Sequence, residues 1–327
     1  MVAQAAQHGQ GARAVANEGA DSWRRHLQGA HDAHPVNQAL EALEPVERTL
    51  LIPLLARVWG HRWHLDMAAP DASAERVLEQ LQGRVPTWVS TWVPDPVTLA
   101  CIEWRTRQLI AGAHHHFEQH PHACGVNLGA GLSDYFQWVD NGVNRWMDAD
   151  VERVMQLRMC CMPQQTRVTS LSMDVCEDGW WSRLASCLPA RREPLFIMLE
   201  GVLLYLQPTQ ARQVLSTLAE HAPTGSRLMF DVIARWLVGW PVSMPMPVTM
   251  RMPVSMPGLS PCFMTSMPTE QPVFQWGIDS LQELDTLHSR LHLESATSAP
   301  WMTPGWSWLV HDWQTVSPYA VVQMSVS

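Results

Sequence analysis

The chain has 327 residues, 46% of them hydrophobic, which is enough for one large domain with elaborations, and its net charge is −9. All 22 basic residues are arginines, scattered rather than gathered into a stripe, so a nucleic-acid partner is not expected and no lysine is present to serve as base or Schiff-base former. No apolar run approaches membrane-spanning length, and the N-terminus has no basic region leading into an apolar core, so a cytoplasmic protein without a membrane partner is expected.

In chain order, residues 1–35 are rich in Ala, Gln, Gly and His without apolar periodicity and read as a flexible leader. Residues 36–122 read as a helical lid and N-terminal helices. Apolar positions at Leu40, Leu43, Leu50, Leu51, Leu54, Leu55 and Val58 predict helix over 38–63, with Pro45 and Pro53 expected to break it. Further amphipathic helices are predicted over 72–82 and 97–117. The histidines at 114, 115, 116, 120 and 122 cluster at the end of the latter, where His116 and His120 would share a face. No cysteine or carboxylate completes a metal motif there, so a solvated or partly packed helix end is favoured over a metal site. Seven cysteines, an odd number with no CxxC pair, suggest neither a disulfide framework nor zinc.

Residues 123–327 form the predicted core. Val126 to Leu128 run into Gly129-Ala130-Gly131, where missing side chains permit positive φ and close approach of backbone to a ligand. A short helix should follow, then a second strand near 143–147 ending in Asp148 and Asp150. That is about 20 residues past the glycines, the interval at which a carboxylate meets a ribose diol in a Rossmann-like unit. Strands at 167–171, 194–199 and 227–230 alternate with helices at 179–187 and 208–220, which argues for a parallel sheet with helices on both faces. Helix over 279–290 and last strands at 291–296 and 319–326 complete the series. Between them, Trp240 to Pro268 is a Met/Pro-rich stretch in which prolines forbid regular helix. It reads as a flap whose methionines could adapt to a flat apolar ligand, or as a loop lying on the surface.

Wider segments carry a family resemblance. TLLIPLLARV at 49–58, WRTRQL at 104–109, the glycine turn, SLSMDVCEDGW at 170–180, LFIMLEGVLLYL at 195–206, LMFDV at 228–232 and QWGID at 275–279 together resemble the leucine carboxyl methyltransferase family, in its bacterial branch of polyketide O-methyltransferases. The resemblance implies a Rossmann-like class I methyltransferase fold, an α/β architecture with a seven-stranded, mostly parallel sheet whose last strand enters antiparallel. It also implies S-adenosylmethionine as cofactor and a small-molecule methyl acceptor. By the same resemblance Gly129, Ala130 and Gly131 line the cofactor, Asp150 accepts its ribose hydroxyls, Asp174 with Val175 approaches the adenine, Arg105 pairs with its carboxylate, and Glu200 lies near its ammonium. Arg107 competes with Arg105 for that alignment, and Asp174 equally suits a helix N-cap. The family's LDTR after the glycines is replaced here by Leu132-Ser133-Asp134-Tyr135, displacing an acid and an arginine.

The expected activity is therefore transfer of a methyl group to a hydroxyl or carboxylate oxygen of a metabolite. Tyr205 and Asp231, which follow the fourth and fifth strands, are candidates to line the acceptor site without an assigned catalytic role. A catalytically weak scaffold of the same fold is the alternative that the Ser133-Asp134-Tyr135 segment motivates. An NAD-binding oxidoreductase also fits a GxG turn with a distal acid, but the turn lacks a full GxGxxG and the EGVLLYL segment speaks against it.

Overall fold

The computed structural model describes residues 35–62, 69–81, 96–189, 193–240, 272–298 and 318–327. The predicted leader and almost all of the Met/Pro-rich stretch lie outside these residues. Among the described residues, helices α1 (Pro35–Glu41), α2 (Leu51–Arg62), α3 (Ala72–Leu81) and α4 (Pro96–Gln119) precede the sheet, with a 3-10 turn at Glu47–Leu50. Pro53 does not break α2. It stands in the first turn, where a proline removes no intrahelical bond, so the break falls before the helix.

The core then alternates through β1 (Cys124–Leu128), α5 (Phe136–Val139), β2 (Arg145–Asp150), α6 (Glu152–Cys161), β3 (Val168–Ser172), α7 (Trp180–Cys187), β4 (Phe196–Leu199), α8 (Pro208–His221) and β5 (Arg227–Ile233). It closes with α9 (Gln282–Asp285), β6 (Leu291–Ser298) and β7 (Tyr319–Val326). These strands make one sheet in the order β3-β2-β1-β4-β5-β7-β6. β1 to β5 are parallel, whereas β7 lies antiparallel to both β5 and β6.

Two further expectations are corrected. The second strand begins at Arg145 rather than Val143, because Asn141, Gly142 and Val143 form a turn closed by the Asp140 and Asn141 side chains, and both acids belong to the strand. Residues 279–290 do not form one helix. The segment coils into α9 alone, since the Glu283 carboxylate accepts from the Asp279 and Ser280 amides and the Asp285 carboxylate accepts from Leu293 N, turning the chain early into β6.

Strand alternation divides the core between two faces. Val126, Leu128, Ile197, Leu199, Phe230 and Val232 pack with Leu184 of α7 and Val214, Leu215 and Leu218 of α8. Trp146, Phe196, Met198 and Met229 pack on the opposite face with Leu109, Ala113 and Phe117 of α4. Gly125 belongs to this second face by necessity: a Cβ there would lie 2.2 Å from the Trp146 ring. A third cluster joins Leu40 of α1, Leu54 and Val58 of α2, and Val77 and Leu81 of α3 to Val154 and Leu157 of α6. The N-terminal helices therefore dock over the carboxyl ends of the strands.

Candidate active site

Under this helical cap lies a cavity of about 470 Å³ at the carboxyl ends of the strands, where open parallel sheets bind ligands. It gathers most of the predicted residues: Arg105, Gly129, Ala130, Gly131, Asp150, Asp174 and Glu200 all line it. Val175 does not. It is partly buried against the core beside the cavity wall.

The turn after β1 takes the expected left-handed backbone, with φ of 76° at Gly129 and 51° at Gly131. A Cβ at Gly129 would also approach Val202 to 2.2 Å, so only glycine lets the two loops come together. At the end of β2, the Asp150 carboxylate accepts from the amides of Gly131 at 2.7 Å and Val151 at 2.8 Å. Burial pushes its pKa up to about 6, against the pull of those two amides. Asp148 serves elsewhere. It is 2% exposed and pairs with Arg158 at 2.7 Å while accepting from Trp146 Nε1 and Asn127 Nδ2.

Arg158 is a residue that the chemistry-led reading of the sequence passed over. Its Nη1 donates to the carbonyls of Gly131 and Ser133, both at 2.8 Å, and so grips the glycine turn from behind. The family's arginine is missing after the glycines, yet an arginine reaches the turn from α6. The Ser133-Asp134-Tyr135 segment is absorbed in the same way: Asp134 accepts from Ser73 Oγ at 2.6 Å and from Gln165, and Tyr135 is fully buried. Arg57, also unforeseen, lines the cavity from α2, pairs with Asp71 at 2.8 Å and donates to Leu132 O.

Opposite the glycine turn, Arg105 enters from α4, whereas Arg107 is exposed on the outer side of the helix. Arg105 donates from Nε to Glu200 Oε1 at 2.8 Å, and its Nη2 lies 2.6 Å from the same oxygen. Its Nη1 lies 3.1 Å from both Asp231 Oδ2 and Tyr319 Oη. The surrounding carboxylates outweigh the cost of burial and hold its pKa well above the usual value. Tyr319, from the last strand, had no signal in a sequence reading because nothing local marks it. On the remaining wall, Leu204, Tyr205, Leu237, Trp240 and Phe274 present an apolar and aromatic surface, with the Tyr205 and Phe274 rings 6.1 Å apart. Burial pushes the Tyr205 phenol up to about 12, so it stays protonated.

The histidine cluster holds no comparable site. Among the described residues no group of His, Cys, Asp and Glu could hold a metal. His116, expected at a solvated or partly packed end, is 1% exposed and hydrogen-bonds to Pro194 O, and burial lowers its pKa to about 4. Among the same residues no helix is long and apolar enough to cross a membrane.

The strand order with its antiparallel β7, and a ligand cavity at the carboxyl ends beside a glycine turn, define a Rossmann-like methyltransferase fold of class I. The chain matches the leucine carboxyl methyltransferase family over residues 125–219. It is 27% identical over 195 residues to the tetracenomycin polyketide synthesis O-methyltransferase TcmP of Streptomyces glaucescens, covering 59% of this chain and 68% of that protein. Among solved structures, the magnesium protoporphyrin IX methyltransferase of Synechocystis PCC 6803 with bound SAM superposes with a TM-score of 0.42 at 8% identity, over 80% of this chain and 99% of the other. The N-methyltransferase NodS of Bradyrhizobium japonicum WM9 in complex with S-adenosyl-L-homocysteine gives 0.39 at 10% identity, over 78% and 99%.

Proposed function

We propose that the protein is an S-adenosylmethionine-dependent O-methyltransferase that methylates a hydroxyl or carboxylate oxygen of a small metabolite. The supporting observation is the donor set of the cavity at the carboxyl ends of the strands. It offers a guanidinium and a carboxylate, Arg105 and Glu200, on one side, and the acids Asp150 and Asp174 beside a glycine turn on the other. Such a set suits a zwitterionic amino acid joined to a ribose and an adenine. S-adenosylmethionine, when bound, supplies a methyl group on a sulfonium that an acceptor oxygen can displace in line.

In this reading Arg105 binds the cofactor's carboxylate and Glu200 its ammonium, the backbone of Gly129, Ala130 and Gly131 admits its methionine and ribose side, Asp150 accepts from the ribose diol, and Asp174 lies toward the adenine. Leu204, Tyr205, Trp240 and Phe274 then shape the acceptor side and exclude water, so that positioning carries much of the rate. No residue is assigned as a base. Asp231 is engaged by Gly201 N, Tyr319 and Arg105, and Tyr205 stays protonated, which favours an acceptor oxygen that is already ionised, such as a carboxylate.

Calorimetric titration with S-adenosylmethionine and S-adenosylhomocysteine tests the cofactor, and methyl release over a panel of phenols and carboxylic acids tests the reaction. Binding of both nucleosides and turnover of at least one acceptor is the expected result. Folded protein that binds neither at millimolar concentration overturns the proposal. Binding without any turnover instead favours a scaffold of the same fold.

A further inference from the structure

The two edges of the Arg105 guanidinium are held in different ways. Its Nε and Nη2 both reach one oxygen of Glu200, so the fork that could grip a carboxylate by two oxygens is only half matched there. Glu200 itself sits at the corner after β4, next to Gly201 with φ of 66°. The Nη1 edge meets a different construction. Asp231 and Tyr319 belong to the antiparallel pair of β5 and β7, where Asp231 faces Val321 and Ile233 faces Tyr319. Tyr319 Oη donates to Asp231 Oδ2 at 2.8 Å, and the other carboxylate oxygen accepts from Gly201 N at 2.7 Å. The side chains of Asp231 and Tyr319 are almost fully enclosed, at 1% and 7% exposure.

We infer that Asp231 and Tyr319 are positioning residues: they pin the Nη1 edge of Arg105 to the sheet, so that its Nε and Nη2 edge stays aimed at the cavity for a ligand carboxylate. This rests on the proposed cofactor, whose α-carboxylate is the group concerned. An arginine side chain left unpinned would surrender rotamer freedom at the moment of binding, and pinning it beforehand removes that cost. Gly201 N on the same Asp231 ties the Glu200 corner to the same anchor, so the two groups that answer the zwitterion share one support. The phenol suits this role because burial and the neighbouring Asp231 hold its pKa well above the usual value, keeping it a donor.

The test compares S-adenosylhomocysteine with its decarboxylated analogue, which keeps the amine, by calorimetry on wild type and Tyr319→Phe. Wild type should bind the parent compound more tightly. In Tyr319→Phe its affinity should fall about fivefold to tenfold, the equivalent of one hydrogen bond of about 1 kcal/mol, while the analogue's stays unchanged. A merely structural hydroxyl would weaken both ligands alike, and that result, or no change in either, overturns the inference. Thermal unfolding checks that the variant is folded, and Asp231→Asn, which keeps the side-chain shape, is read in the same way. Wild type that binds both ligands equally refutes the positioning role but leaves the cofactor reading standing; wild type that binds neither refutes both.

Discussion

Asp148 and Asp150 stand on the same face of one strand, yet they are bound for different purposes. Asp148 neutralises the buried Arg158, whose other nitrogen holds the glycine turn, whereas Asp150 lines the cavity. Asp150→Ala should weaken S-adenosylhomocysteine binding about tenfold, through loss of one charged hydrogen bond to a ribose hydroxyl, as read by calorimetry. Asp148→Ala should instead cost about 3–5 kcal/mol of folding stability in urea titration, because it strands a buried guanidinium. If Asp148→Ala proves to be the variant that loses affinity while Asp150→Ala keeps it, the ribose partner has been misplaced by two residues. The raised pKa of Asp150 adds a pH signature. Above about 6 the group is a carboxylate that only accepts, and below it the acid gains a proton, so affinity should fall as pH drops through about 6 in wild type and show no such step in Asp150→Ala.

At the scale of elements, one acid ties two helices of the cap to each other and to the core. Asp71 caps α3 through Ala74 N at 2.8 Å, pairs with Arg57 of α2 at 2.8 Å, and accepts from Gln137 beyond the glycine turn at 2.9 Å. Arg57 and Asp71 are both buried, so removing one partner leaves an uncompensated charge. Asp71→Ala should therefore destabilise the fold by about 3–5 kcal/mol in urea titration. Asp71→Asn keeps the cap and should lose less. The helices themselves were legible in sequence because apolar spacing announces them: α3 and α4 lie within two residues of their predicted bounds. Their junction was not legible, since Asp71 and Gln137 are 66 residues apart and nothing in either segment names the other.

Across the whole molecule, α4 covers one face of the sheet, and its last turns bury His116 against Phe117 and Phe196, with ring centroids 5.8 and 5.9 Å away. The ring has an ordinary pKa of 6.5, lowered to about 4 chiefly by burial, which outweighs the upward pull of its bond to Pro194 O, with His120, Arg227 and His115 lowering it a little further. The sign follows from proton counts. Between these values the unfolded chain binds the proton and the folded one does not, so the contribution is present above pH 6.5 and is lost as pH falls toward 4. It amounts to about 3 kcal/mol at most. Chemical denaturation of wild type from pH 7 to 4 should show this decline, and His116→Phe should flatten it; an unchanged slope in the variant would assign the acid sensitivity to other groups. The sequence read the histidine cluster as a solvated or partly packed helix end, and only the crossing of α4 over β4 decided that one ring lies inside.

The sequence by itself determined the parts of this protein whose signals are local. Alternating strands and helices, the glycine turn that needs positive φ and the acid at the end of β2 follow from spacing within a few tens of residues, and the glutamate after β4 from the family resemblance of its segment. Tertiary structure alone decided how those parts are held. Arg105 finds its partners 95, 126 and 214 residues away, at Glu200, Asp231 and Tyr319, and they meet only because β7 turns back antiparallel against β5. A charge that must be answered after burial can be recognised in a sequence, but the group that answers it is chosen by the path of the chain through space.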